Sequence, residues 1–318
     1  MLTAELNRTR RIGCEYEMTM PCVGRGGGRD VQEVLAQVLT ANGIRAIARG
    51  YDHTLLPPNV DIAVEYDTSV QGESKYAGIT WYPVEVKTRI LDGYDDWERV
   101  VPQTLEICRY MGARVNTSCG HHLHFSFDEV NADPRTVRSL WNLTHRFNEV
   151  IYGLVAPSRR NNQFCRPLPT TTKLLHRANS QRSLQEILRS YDRYFGLNLT
   201  NLFCDSPHIE LRWHHGTLDP VKARHWLRFC LQFIEHAAVN RTCQAAPQPL
   251  ENNRRGLEAL LTVIGLKINT KIYCRVSSEL RETGRYILRT WKKFNGGISL
   301  AKCRTEEAKE EEVLACAE

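Results

Sequence analysis

The chain has 318 residues, of which 42% are apolar and 25% are charged, as is typical of a globular protein. Its net charge of +6 is unevenly distributed, because residues 305–318 carry −5 and the rest carry +11. No apolar stretch approaches the roughly 20 residues of a membrane helix, and no secretory signal is visible. Eleven Cys residues without a Cys-x-x-C motif argue against a disulfide scaffold or zinc finger and favour a cytoplasmic protein with reduced thiols. A basic body of this kind favours phosphate-rich ligands, either nucleotides or nucleic acid.

The predicted elements begin with a strand over 11–18 and a Gly-rich loop over 22–29, after which Asp30 is the predicted N-cap of a helix. Strands then occur in pairs between long helices, without a regular βαβ alternation. This order favours an α+β fold in which an antiparallel sheet is flanked by long helices. The later elements are a helix over 31–41, strands over 60–70 and 79–91, a helix over 94–111, short strands over 113–116 and 121–127, a helix over 134–155, an irregular segment over 157–175, strands over 194–202 and 208–214, a helix over 220–240, and a mostly helical segment after 249.

Four of the predicted strands carry chemically reactive side chains on one face. Residues i and i+2 of a strand point to the same side of a sheet, so alternating polar and apolar residues define two faces. A merely solvated face is the common pattern, but it would mix Lys, Thr, Ser, Gln and Arg. His121 falls on the opposite face from its neighbour and is predicted to be structural. The polar positions hold Glu15 and Glu17; Glu85 and Lys87; His122, His124 and Ser126; and Glu210, Arg212 and His214.

These residue types predict a cluster of divalent metal ions that holds a polyphosphate. Carboxylate oxygens with an imidazole are suitable ligands for Mg²⁺ or Mn²⁺. Adjacent Arg or Lys side chains fit phosphate oxygens. Such a site performs phosphoryl transfer by positioning and charge neutralisation, with little covalent chemistry by the protein.

Six motifs in chain order resemble the amidoligase family, a distant branch of the glutamine synthetase and glutamate–cysteine ligase superfamily. The resemblance covers about residues 11–240 and implies the antiparallel catalytic sheet of that superfamily. It departs from the family pattern where Lys87 adds a charge between Glu85 and the following hydroxyl residue. The motifs are Gly13-Cys14-Glu15-Tyr16-Glu17, Asp67-Thr68-Ser69, Pro83-Val84-Glu85-Val86, Asn116-Thr117-Ser118-Cys119-Gly120-His121-His122-Leu123-His124, Arg193-Tyr194-Phe195-Gly196-Leu197-Asn198, and Glu210-Leu211-Arg212 followed by Gly216-Thr217-Leu218-Asp219.

The resemblance implies an ATP-dependent ligase that joins a carboxylate to an amine. ATP would phosphorylate the carboxylate to an acyl phosphate, and the amine would then displace phosphate to form an amide. The implied partners are small-molecule or peptide carboxylates and amines, with no membrane and no specific nucleic acid. The implied organisation is a catalytic domain over 1–245, a C-terminal helical extension over 246–304 packed on it, and an acidic tail over 305–318.

The resemblance also implies roles for individual residues. The implied ligands of Mg²⁺ or Mn²⁺ are Glu15, Glu17, Glu85, His122 and Glu210. The implied contacts to ATP are His124, Ser126, Lys87, Arg193 and Arg212, and the implied catalytic residues are Arg212, His124 and Glu17. The implied substrate contacts are Asp67, Ser69, Asn116, Gly120 and Asn198.

Two other classes of protein stay open. A zinc hydrolase could use His122, His124 and a carboxylate, because zinc needs only three protein ligands and a water. The number of carboxylates favours Mg²⁺ over zinc. The basic body also permits a non-enzymatic nucleic-acid-binding module, although the sequence holds no aromatic–basic cluster of the kind that stacks on bases.

Overall fold

The computed structural model describes residues 2–23, 27–52, 54–76, 79–169, 178, 180–189, 191–240, 247–269 and 271–315. The strands are β1 (Leu2–Ala4), β2 (Ile12–Val23), β3 (Ala46–Ala48), β4 (Ile62–Glu65), β5 (Glu73–Tyr76), β6 (Ile79–Thr88), β7 (Gly120–Ser126), β8 (Leu197–Asn198), β9 (His208–His215) and β10 (Tyr273–Val276). The helices are α1 (Gly28–Ala41), α2 (Tyr94–Tyr110), α3 (Glu129–Ala132), α4 (Arg135–Gly153), α5 (Pro157–Arg160), α6 (Gln181–Leu188), α7 (Pro220–Val239), α8 (Arg254–Val263) and α9 (Ser278–Ala315).

Most of the strands form one sheet in the order β3-β4-β6-β2-β7-β9-β8, and β5 also pairs with β6. β3 runs parallel to β4, whereas the other pairings in this sheet of the described residues are antiparallel. The prediction of an α+β fold with an antiparallel sheet is therefore confirmed in its main features, since the fold is mixed α+β and the sheet is antiparallel apart from the β3–β4 pair. The long strand β2 lies in the middle, between β6 and β7, and so brings the motifs of three chain segments side by side.

Helices cover the apolar face of this sheet. Trp97 of α2 and Phe233 of α7 are fully buried, and the Phe233 ring meets Trp213 of β9 edge-on, with ring centroids 5.6 Å apart. Asp219 begins α7, because its carboxylate accepts hydrogen bonds from two backbone N–H groups of the first turn. Since one face of the sheet forms the core, the other face is left for polar side chains.

The C-terminal segment packs on the same body. α8 packs on α4, and α9 packs on α7 and α4. β10 also pairs in parallel with β1, which ties this segment to the N-terminus. The domain boundaries predicted at 245 and 304 stay predictions, and the side chains of the acidic tail lie outside the description. Among the helices of the described residues, none is long and apolar enough to cross a membrane.

Local predictions differ from the structure at several places. α1 begins earlier than predicted, with Gly27 as N-cap, and Asp30 accepts a hydrogen bond from the Gly27 N–H at 2.7 Å from within the first turn. The strand predicted over 113–116 is only a bridge between Arg114 and Thr19, because the chain turns on both sides of it. The strand predicted over 194–202 shortens to β8, and α5 begins the segment predicted as irregular. Residues 24–26 of the Gly-rich loop and 170–175 of the irregular segment lie outside the described residues.

Candidate metal and phosphate site on the open face of the sheet

Strand register brings the predicted polar residues together on the open face of the sheet. Glu15, on the central strand β2, lies opposite His122 of β7 on one side and Lys87 of β6 on the other. The polar faces of separate strands therefore merge into one continuous patch. Further pairs on this face are Glu17 with Glu85, Glu65 with Glu85, His124 with Glu210, and Asn198 with Glu210.

His214 is an exception, because its side chain lies on the helix-covered side of the sheet. The register between β7 and β9 shifts next to His121, which changes the alternation at the end of β9. The His214 ring contacts His121 edge-on at 5.4 Å between centroids and Trp226 of α7 at 4.8 Å. The prediction that His214 shares a face with Glu210 is therefore wrong, whereas His121 lies on the buried side as predicted.

His122 stands at the centre of the acidic cluster. Its Nδ1 atom lies 3.1 Å from Glu15 Oε2 and 3.5 Å from Glu210 Oε1. Its Nε2 atom lies 3.5 Å from Glu17 Oε1. The second imidazole, His124, places Nε2 3.3 Å from the other Glu15 oxygen. His122, Glu17 and Glu210 are almost fully buried, while Glu15 and His124 are each about one-fifth exposed and reach the solvent-facing side of the cluster.

Two fixed acceptors hold Arg212 at the wall of the cluster. Its Nη1 atom donates to Glu210 Oε1, and its Nε atom donates to the Phe164 carbonyl at 3.0 Å. Asn198 donates to Glu210 Oε2 at 2.6 Å. Glu210 is therefore oriented from both sides, and Asn198, which the sequence predicts as a substrate contact, performs this orienting task in the structure.

The Lys87 ammonium lies between two carboxylates. Its Nζ atom is 3.0 Å from Glu85 Oε2 and 3.0 Å from Glu65 Oε2. Glu65 is fully buried, and its Oε1 atom accepts a hydrogen bond from Arg49 Nε at 2.6 Å. Sequence reasoning missed Glu65 and Arg49, because Glu65 ends an apolar strand without polar alternation. Only the pairing of β4 with β6 reveals that Glu65 stands opposite Glu85.

The other predicted substrate contacts divide between the cleft and the layer beneath it. Asp67 and Ser69 line the cleft, and the Ser69 N–H donates to Asp67 Oδ1 at 2.6 Å. Asn116 and Gly120 are not among the residues that line it. The Asn116 amide donates to a backbone carbonyl of the neighbouring loop at 2.8 Å, and the Gly120 N–H donates to Glu17 Oε2 at 2.6 Å. Both residues therefore support the walls of the site.

A buried arginine lies beneath the cluster and was not selected from the sequence. Arg159, in the short helix α5, is 1% exposed, and its Nη2 atom donates to the Arg212 carbonyl at 2.7 Å. Its Nε atom has no hydrogen-bond partner among the described residues. Burial raises the pKa of Glu17, and the charge of Arg159 is among those that oppose this rise. Two adjacent arginines before two asparagines resemble a solvated loop, so the sequence gives no signal of this burial.

The pKa values of the cluster indicate an excess of buried negative charge. Burial and the nearby charge of Glu15 raise the pKa of Glu85 well above its usual value. Burial acts in the same direction on Glu15, but the imidazoles of His124 and His122 outweigh it and hold the pKa of Glu15 well below its usual value. Burial lowers the pKa of His124, but Glu15 outweighs it, so that this pKa is raised. The cluster therefore has room for additional positive charge.

The donor set fits divalent metal ions. Each of the five predicted metal ligands belongs to at least one group whose ligand atoms lie within 4.8 Å of one another. Asp67 and His124, predicted to contact substrate and ATP, also belong to such groups. Carboxylate oxygens with one imidazole suit Mg²⁺ or Mn²⁺. The groups are Glu15, Glu85 and His122; Glu15, His124 and Glu210; and Glu17, Asp67 and Glu85.

A cleft of about 1110 Å³ opens above this cluster. Ser126 and Arg193, both predicted ATP contacts, are among its lining residues, as are Lys87 and Arg212. Arg193 also donates a hydrogen bond to the side chain of Tyr51, which lies in the loop after β3. Sites for a single small molecule are commonly about 300–1,000 Å³, so this cleft is large enough for more than one ligand.

The antiparallel sheet, its acidic open face and the large cleft define an enzyme-like site for charged ligands. The chain matches the model of a family described as "putative amidoligase enzyme" over residues 8–234. The chain belongs to this amidoligase family, whose function is of the ligase type. The matched range includes every site residue named above. No curated protein matches the chain. Placement within the glutamine synthetase superfamily stays a prediction.

Proposed function

We propose that this protein is an ATP- and Mg²⁺- or Mn²⁺-dependent amidoligase, which joins a carboxylate to an amine through an acyl phosphate. The observation that carries this proposal is the continuous cluster of carboxylates and imidazoles beside Arg212, at the floor of a cleft with room for two ligands. Membership of the amidoligase family supports the same class of reaction.

The residues that would hold the metal ions are the three groups around Glu15, Glu85 and Glu17. A divalent ion bound there would neutralise the charge of phosphate oxygens during phosphoryl transfer. The protein itself fixes the carboxylates before any ligand arrives. The Gly120 N–H holds one Glu17 oxygen, and Asn198 holds one Glu210 oxygen. Because these carboxylates are already held in place, a metal ion that binds between them does not have to bring their negative charges together.

Arg212 and Arg193 would supply positive charge to the anionic ligands. Arg212 is nearly buried and its guanidinium is held by Glu210 and by the Phe164 carbonyl, so its direction is fixed. Arg193 is exposed and donates a hydrogen bond to the side chain of Tyr51. A fixed guanidinium at the floor suits the transferring phosphoryl group, and an adaptable one at the mouth suits binding and release.

The zinc hydrolase receives no comparable support. Among the described residues, none of the three ligand groups contains both His122 and His124. Each imidazole instead joins two carboxylates, which is the donor set of a harder cation.

The proposal is tested by ADP release with Mg²⁺ or Mn²⁺, screened over pairs of carboxylates and amines. We expect release only when both substrates are present. Glu17→Gln keeps the size of the side chain but removes a ligand charge, so we expect a fall in turnover of at least about 10- to 100-fold, as for perturbed metal sites generally. Glu33→Gln, on the exposed side of α1, is the matched control and should be neutral. Full turnover in folded Glu17→Gln would contradict the proposal.

A further inference from the structure

The Lys87 ammonium lies among the carboxylates of the candidate metal site. Its Nζ atom lies 3.0 Å from one oxygen of Glu65 and 3.0 Å from one oxygen of Glu85, on neighbouring strands that pair at these two glutamates. The two oxygens face each other across the width of one ammonium group. Lys87 therefore fills a position that is equivalent, in charge and contacts, to that of a bound cation.

The burial of Glu65 makes this contact necessary. The side chain is 0% exposed, and Arg49 satisfies only its Oε1 atom. The Oε2 atom has no hydrogen-bond partner among the described residues, although the Lys87 ammonium lies 3.0 Å away without hydrogen-bond alignment. A buried carboxylate oxygen requires a compensating charge, and Lys87 is the cation that approaches this one.

The same ammonium restricts how Glu85 can be used. Glu85 belongs to two of the ligand groups, one with Glu15 and His122 and one with Glu17 and Asp67. Its Oε2 atom lies 3.0 Å from the Lys87 ammonium, which therefore competes with a metal ion for this oxygen. The Tyr51 ring lies beside the ammonium, with Nζ 4.9 Å from the ring centroid, and both side chains line the cleft.

We propose that Lys87 is a permanent cation at the edge of the metal cluster, which occupies a position that an additional divalent ion would otherwise take between Glu65 and Glu85. The inference rests on the metal site of the proposed function. It explains why the chain carries a lysine where the surrounding residues are metal ligands. Glu65 and one oxygen of Glu85 then pair with Lys87, and divalent ions bind on the side of Glu15 and Glu17, in the groups that also include Glu85.

The test counts the Mn²⁺ ions bound per chain in the full-length protein, by equilibrium dialysis with detection of free Mn²⁺ by electron paramagnetic resonance. Lys87→Met removes the charge and should bind one more Mn²⁺ per chain than the wild type. Lys87→Arg keeps the charge and should bind the wild-type number. Lys222→Met removes a lysine of α7 that does not line the cleft, and it should also bind the wild-type number.

A double variant identifies the position of the additional ion. Lys87→Met combined with Glu65→Gln should return to the wild-type number, because one of the two freed carboxylates is removed. If Lys87→Met does not fold in the absence of metal, Lys87→Gln is the second variant, and Mn²⁺ should restore the folded state of either one.

The outcomes separate this inference from the proposed function. An equal or smaller number of Mn²⁺ ions in Lys87→Met than in the wild type overturns the inference, as does failure of Mn²⁺ to restore folding in both neutral variants. The absence of any bound Mn²⁺ in the wild type counts against the metal-dependent function instead. A gain of one ion in Lys87→Met that is lost in the double variant supports the proposal.

Discussion

Gly120→Ala is the substitution whose effect on the site follows most directly from the structure. Gly120 is the first residue of β7, and its backbone N–H holds Glu17 Oε2. A Cβ atom added there would lie 2.6 Å from His122 Nε2, and 3.3 Å from both Glu17 Oε2 and Arg159 Nη2. The φ angle of Gly120 is not positive, so the backbone itself tolerates alanine. The substitution is therefore unfavourable because the added Cβ atom collides with the His122 ring of the cluster.

The size of this collision sets the expected effect. Ordinary van der Waals contact begins at 3.4 Å, so the His122 ring must move by about 0.8 Å. A displacement of about 1 Å in a catalytic arrangement costs on the order of 100-fold in rate. Overpacking of a buried position costs about 1–3 kcal/mol of stability, which leaves a domain of ordinary stability folded. We therefore expect Mn²⁺ affinity and ADP release to fall strongly in a protein that remains folded.

The assay compares three quantities: the urea midpoint, the Mn²⁺ dissociation constant and the rate of ADP release. Gly50→Ala is the matched control, because an added Cβ meets no atom within 4 Å and the φ angle of Gly50 is also not positive. It should change stability by no more than about 0.5 kcal/mol and leave Mn²⁺ affinity unchanged. Wild-type Mn²⁺ affinity in folded Gly120→Ala would refute the assignment of His122 to the centre of the metal cluster.

Two further predictions concern residues outside the ligand set. Burial lowers the pKa of His215 to about 3, from an ordinary 6.5, so the unfolded state binds the proton more readily. The contribution of His215 to the free energy of unfolding is constant above about pH 6.5. Below that pH, the free energy of unfolding falls by about 1.4 kcal/mol per pH unit as the pH approaches the pKa of the folded state, which amounts to about 2 kcal/mol at pH 5. His215→Gln should reduce the difference in unfolding free energy between pH 7 and pH 5 by about that amount, and an unchanged difference in urea titrations would contradict this. Arg159→Met keeps most of the buried volume but removes a positive charge beneath Glu17 that repels a bound cation, so Mn²⁺ affinity should rise by about 10-fold or more; unchanged affinity would show that Arg159 has only a packing role.

The polar alternation along single strands could be interpreted correctly from the sequence. Glu15 and Glu17 on β2, and His122 and His124 on β7, share a face because side chains in a strand alternate with period two. Other local patterns, the helical spacing of apolar residues and the capping residues, predicted the long helices α2, α4 and α7 to within about two residues. These features depend on local backbone geometry, so the local sequence is sufficient to predict them.

The prediction from alternating polar residues is wrong at the end of β9, where the pairing with β7 changes the alternation. His214 keeps the spacing of Glu210 in the sequence, yet the register shift between β7 and β9 moves it to the helix side. A bulge of this kind depends on the partner strand and leaves no mark in the sequence of the bulged strand. The burial of Arg159 also depends on tertiary contacts, because only the packing of α5 against β9 places this side chain beneath the site.

By itself, the sequence determined the chemical inventory of this protein: which strands carry carboxylates, imidazoles and arginines, and which family the chain resembles. The tertiary structure alone decided the neighbours of those groups. It placed Glu65 opposite Glu85, inserted Lys87 between them, and turned Asn198 towards Glu210. The physical reason is that strand order and register are set by long-range packing of the sheet and its helices, and residues far apart in the chain meet only through that packing.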